Sequence, residues 1–80
     1  MHVEPRHSIA ELERHARVQK TARVAVRIRA VIMARRGRDA PTIADDLGRS
    51  RRAVQQWVRW YNQDGLGALR DAHASSPGVV

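Results

Sequence analysis

Eighty residues allow one small domain, which buries only about 60 to 65% of its unfolded surface and leaves little room for a large active-site cleft. Fifteen basic against eight acidic residues give a formal charge of +7 and a pI near 11.6, the electrostatic footprint of a nucleic-acid binder, although an ordinary basic surface would carry the same balance. The absence of Cys excludes disulfides and thiolate zinc sites. MHVEPRHS lacks the apolar core of a signal peptide and the longest uncharged apolar run, residues 30–34, is too short to cross a membrane, so a cytoplasmic location is expected.

Residues 1–7 hold Pro5 and two histidines without an apolar period, and are expected to form a flexible arm. Ser8 with Glu11 three residues on has the form of a capping box, and Ile9, Leu12 and Ala16 follow as a narrow seam, so the first helix is placed at 8–18. After Gln19-Lys20-Thr21, where Thr21 can cap, the second helix runs over 22–36 to Gly37; lacking Gly or Pro between them, the two helices could also run on as one bent helix. Val24, Ala25, Ile28, Val31 and Ile32 form one apolar face of this helix, while Val26, Ala30 and Met33 form a second on roughly the opposite side. A helix apolar on two sides belongs in the middle, with the first helix on one face and the following helices on the other. Two arginine rows, Arg23/Arg27 and Arg29/Arg36, separate those faces.

Pro41 suits the first turn of a third helix, 41–47, which Gly48 ends; Ser50 then caps a fourth, 50–63, that stops at Asp64-Gly65. Ile43, Leu47, Val54, Trp57 and Tyr61 are the expected core anchors of this helix-turn-helix. Leu66 and Leu69 can fold back onto the core, and residues 71–80 are expected to be a disordered tail. The fold class is thus all-α, a small bundle of about four helices, with 8–70 as the folded domain.

The fourth helix has two faces. Val54, Trp57, Val58 and Tyr61 cluster on one side, and Arg52, Gln55, Gln56, Arg59 and Gln63 on the other. The major groove of B-DNA admits one helix whose N-terminal part reads base edges; Arg pairs with guanine O6 and N7, and Gln with adenine N6 and N7. Arg51, Arg52, Gln55 and Gln56 are therefore the direct-readout candidates. Ser50, Arg49, Arg59, Arg27 and Arg23 are assigned to the phosphate backbone, where contacts position the protein without specifying sequence. An ordinary solvated helix surface would also be rich in Arg and Gln. Trp60 lies about 100° from the core centre, either packed under the first helix or exposed at a partner surface.

Chemistry finds little support. His2, His7, His15 and His73 lack metal-ligand spacing, adjacent Asp45 and Asp46 point different ways on a helix, and no Gly-rich phosphate loop follows a strand. No catalytic residue, metal or cofactor is expected, and neither a membrane nor a small-molecule substrate is expected as a partner.

Residues 48–71, GRSRRAVQQWVRWYNQDGLGALRD, resemble the N-terminal DNA-binding region of bacterial insertion-sequence transposases of the mariner-like superfamily. In that family a short helix ends in Leu-Gly, a Ser-initiated recognition helix carries a Trp, and Gly-Leu-x-x-Leu-x-Asp follows. Leu47-Gly48, Ser50, Val54, Gln56-Trp57-Val58, Tyr61-Asn62, Gly65-Leu66, Leu69 and Asp71 match, and the Arg-rich stretch 27–37 extends the likeness to about residues 8–71. The resemblance implies a paired-like, homeodomain-like fold that binds terminal inverted repeats. Two departures stand out: Arg49 replaces a usually hydrophobic residue, and Ala72-His-Ala-Ser-Ser-Pro-Gly replaces an Arg/Pro-rich segment. No second helical unit or acidic catalytic domain lies within these residues, so strand cleavage and joining are not carried over. The leading expectation is sequence-specific binding of double-stranded DNA. A stand-alone transcriptional regulator, which would favour a homodimer, and a protein-interaction module using Trp60, Leu66 and Leu69 are the alternatives.

Overall fold

The computed structural model describes residues 1–72, with side-chain surroundings through Arg70. Four helices follow in order, α1 (Ile9–Arg17), α2 (Ala22–Arg35), α3 (Ala40–Leu47) and α4 (Arg51–Asp64), and a π-helical turn over Ala68–Ala72 closes the described chain. No strand occurs among the described residues. The expected all-helical bundle is present, with each boundary within a residue or two of the expected one.

Side-chain caps set most helix starts. The Ser8 side chain accepts from the Glu11 amide at 3.1 Å while the Glu11 carboxylate accepts from the Ser8 amide at 2.8 Å, so the capping box is complete. Asp39 accepts from the Thr42 amide at 3.0 Å and starts α3, with Pro41 in the first turn; that cap was not anticipated, although Asp just before Ala-Pro is a recognisable start signal. Hydrogen bonds from Ser8 and Thr42 hold the Glu11 and Asp39 carboxyls below their ordinary range. Thr21 occupies the first position before α2 but its side chain caps nothing, so the α1–α2 break rests on the extended backbone there.

Both turns that matter for the helix-turn-helix are built on glycine. At the end of α2 the Arg38 amide reaches the Met33 carbonyl at 3.1 Å and the Gly37 amide reaches Ala34 at 3.0 Å, with Gly37 at φ 91°. At the end of α3 the Arg49 amide reaches Ala44 at 2.9 Å and the Gly48 amide reaches Asp45 at 3.4 Å, with Gly48 at φ 66°. Each is a Schellman closure, which satisfies the last helical carbonyls and needs a left-handed residue at its centre.

The central position expected for α2 is observed. It packs against α1, α3, α4 and the π-turn, burying Val24, Ile28, Val31 and Ile32 together with Ala30 and Ala34. Leu12 and Ala16 of α1, Ile43 of α3 and Val54, Trp57, Val58 and Tyr61 of α4 complete the core. Leu66 and Leu69 fold back as expected, and Leu69 is fully buried. Each fully buried aliphatic side chain of this kind contributes about 1.5–3 kcal/mol.

Residues 1–7 differ from the flexible arm expected of them. The Glu4 amide donates to Asn62 Oδ1 at 2.8 Å and Asn62 Nδ2 donates to the His2 carbonyl at 3.0 Å, so one side-chain amide pairs with the backbone on both sides of Val3. Val3 itself is buried in the core, at 9% exposure. Arg6 donates to the Asn62 and Gln63 carbonyls at 2.7 and 3.2 Å, covering orphan acceptors in the last turn of α4. The Tyr61 hydroxyl meets His7 Nδ1 at 2.8 Å, and Arg35 donates to the His7 carbonyl at 2.8 Å. Periodicity could not show this, because one valine and a distant Asn do the work. The disordered tail expected over 71–80 lies, beyond Ala72, outside the described residues.

A Cβ at Gly48 would meet nothing within 4 Å, so Gly48→Ala isolates the cost of the left-handed backbone. We expect a loss of about 1 kcal/mol in urea denaturation, with Gly48→Asn losing less because Asn tolerates that conformation better.

Candidate nucleic-acid interface

The turn between α3 and α4 sets the site. Gly48 reverses the chain, and the side chain of Ser50 then accepts from the Ala53 amide at 3.1 Å and starts α4. With its side-chain oxygen already accepting, the Ser50 hydroxyl keeps a proton to donate, and the free amides of the first turn favour an anion beside it. Arg49 and Ser50 are both exposed at this corner.

The buried side of α4 carries the expected anchors. Tyr61 and Val54 are fully buried and Trp57 and Val58 nearly so, which fixes the helix in rotation. Burial pushes the Tyr61 phenol up, against the lowering effect of the Arg35 and Arg6 charges, so it stays neutral across the physiological range. Ile43 is fully buried in α3, but Leu47 is only half-buried: it packs against the core edge and walls a groove with α1 and α2.

The opposite side is open. Arg51, Arg52, Gln55, Gln56 and Arg59 are all exposed, and among the described residues none of their side chains has a hydrogen-bonding or ionic partner. At about 100° per residue, Arg52, Gln55, Gln56 and Arg59 share one face, whereas Arg51 lies on its edge towards Asn62. From Arg52 to Arg59 the helix rises about 10 Å, close to three base-pair steps of about 3.4 Å. Arg59, assigned from sequence to phosphate, therefore projects from the middle of the same row as Arg52. Asp46 of α3 lies 4.0 Å from Arg38, an exposed pair with little energetic weight.

Arg27 is not the free phosphate contact expected of it. Its guanidinium donates from Nη1 to the Leu69 carbonyl at 3.1 Å and lies 5.8 Å from the Trp57 ring centroid and 5.9 Å from that of Trp60. Nε is buried with no partner, and burial, with the like charge of Arg23 adding to it, lowers the Arg27 pKa, although an Arg stays charged at neutral pH. The side chain is a structural clamp between α2, α4 and the π-turn. Arg23, one turn earlier on the same row, is exposed.

That clamp also explains Trp60, which is half-buried against the core beside Arg27. With Leu66 and Leu69 buried, the apolar patch that a protein-interaction reading needs is closed. Among the described residues no cluster of three or more His, Asp or Glu side chains could hold a metal, and no helix is long and apolar enough to cross a membrane.

A family model for a homeodomain-like domain matches residues 21–70, which covers α2, α3, α4 and the start of the π-turn and leaves α1 outside. No curated protein and no solved structure matches the chain.

Replacing Arg27 by Ala removes the Leu69 hydrogen bond and the stacking on both tryptophans. We expect it to cost about 1–3 kcal/mol in a denaturation curve followed by Trp fluorescence, while Arg59→Ala stays within about 0.5 kcal/mol. An Arg27→Ala protein as stable as the parent would show that the clamp is idle.

Proposed function

Because the chain belongs to the homeodomain-like helix-turn-helix family, we propose that it binds double-stranded DNA sequence-specifically, laying α4 in the major groove. The observation that carries this reading is the exposed row Arg52, Gln55, Gln56 and Arg59, unpartnered on its outer side and held in rotation by Trp57 and Tyr61 on its inner side. A helix face rich in Arg and Gln that makes no contacts within the protein has its donors and acceptors available for base edges. Arg49, Ser50 and Arg51, at the capped start of α4, would take phosphates, where the free amides and positive charge are additive. Arg23, exposed on α2, adds a positive charge outside α4, whereas Arg27 is engaged within the domain.

The motif run from Leu47 to Asp71 supports a narrower reading, in which the domain descends from a mariner-like transposase and recognises the inverted repeats of a mobile element.

Selection of bound duplexes from a random pool gives the site, and titration of that duplex at several salt concentrations tests the mode. With about five phosphate contacts, log affinity should fall against log salt with a slope of about −4 to −5. Equal affinity for selected and random duplex would reject sequence-specific readout. On the selected site, Arg52→Ala and Gln55→Ala should each relax preference at one base pair by about 1–3 kcal/mol, whereas Arg49→Ala should weaken selected and random duplex alike. If all three act equally on every duplex, the division between readout and positioning is wrong.

A further inference from the structure

A second surface lies on the far side of α2. Glu13, Ala16 and Arg17 of α1, Arg29, Ile32, Met33 and the helix-ending Arg36 on α2, and Leu47 of α3 line an open groove of about 410 Å³. Arg29 follows Arg27 by two residues, about 200° around the helix. Since Arg27 faces Trp57 and Trp60, the groove opens on the side of α2 turned away from α4. It is therefore separate from the face proposed to read DNA.

Its chemistry is mixed in an informative way. Ala16, Ile32, Met33 and Leu47 supply an apolar floor, and methionine adapts readily to different side chains. Three arginines and one glutamate at the rim leave a net charge of +2. Arg36 is held to Glu13 at 2.7 Å, whereas among the described residues Arg17 and Arg29 have no hydrogen-bonding or ionic partner. Across residues 14–38 there are nine Arg or Lys and no Asp or Glu, so beyond the Glu13–Arg36 pair the groove carries an excess of positive charge.

We propose that this groove binds an acidic amphipathic helix of another protein, its aliphatic side chains on the floor and its carboxylates against Arg17 and Arg29. Nucleic acid fits less well, because the floor offers nothing to a phosphate chain and the Glu13 carboxylate stands in the wall. A second copy of this chain would bring another +7 to the same positive surface. An apolar seam flanked by charges of one sign is how helix-in-groove recognition obtains affinity from the apolar contacts and orientation from the charges. The nine residues of α1 give a wall about 13 Å long, enough for two to three turns of a bound helix.

The test uses the full chain, labelled with nitrogen-15, and a synthetic peptide with Leu at helical spacing and Glu and Ala elsewhere; a scrambled peptide of the same composition is the control. Amide shifts confined to residues 13–17, 29–36 and 47 are expected, with the scrambled peptide binding at least about tenfold more weakly. Arg29→Gln should weaken the peptide about fivefold to tenfold while leaving duplex affinity unchanged, which separates this surface from the DNA reading. Arg29 is exposed, so this variant folds, and far-UV circular dichroism verifies it. Equal binding of both peptides, shifts centred on α4, or a random duplex that shifts the same groove residues would overturn the proposal. Concentration-dependent dimerisation through the groove in the absence of peptide would overturn it as well.

Discussion

Everything in this domain depends on α2 being buried on two sides. A helix of that kind cannot sit at the surface, so α1, α3, α4 and the π-turn all pack against it. Ile28, Val31 and Ala30 are fully buried from different sides of it, and in so small a chain these contacts supply much of the hydrophobic stabilisation available. Where α2 meets α4 the seal is made by a cation, with Arg27 laid against Trp57 and Trp60 and bonded to the Leu69 carbonyl. A guanidinium suits that place because its flat face stacks on the rings while one edge still donates a hydrogen bond.

The orientation of α4 follows from constraints at both of its ends. At the start, Gly48 and Ser50 set the angle at which the helix leaves α3. At the other end the N-terminal segment holds it: Asn62 pairs with the backbone around Val3, Arg6 covers the last carbonyls, and His7 meets Tyr61. A recognition surface benefits from this, since side chains that must meet base edges lose less entropy on binding when their helix is already fixed. The exposed row from Arg52 to Arg59 is thus rigid in its backbone and free in its side chains.

Charge is distributed unevenly over the two sides of the bundle. On α4 the cations alternate with amides on a face that has no apolar floor, a combination that suits base edges and phosphates. Beside α1 the cations Arg17 and Arg29 border Ile32, Met33 and Leu47, a combination that suits a protein partner with both acidic and aliphatic groups. The same residue type serves different chemistry according to what stands next to it.

Much of this was decided locally and could be read from the chain. The Ser8–Glu11 box, Gly37, Gly48, Ser50 and the two-sided pattern of α2 each specify their own few residues, because capping and helical periodicity act over one or two turns. The two faces of α4 were legible for the same reason. What the chain alone could not reveal depends on residues far apart in sequence. Arg27 looked like one more surface cation until Trp57, Trp60 and the Leu69 carbonyl, 30 to 42 residues away, closed around it. Residues 1–7 looked like an arm until Asn62 and Tyr61 supplied partners 54 to 60 residues on. Local pattern determined which helices form and which side of each is apolar; only tertiary packing decided which charged and polar side chains are used up inside the domain, because an Arg or Asn finds its partner through space and leaves no period in the sequence.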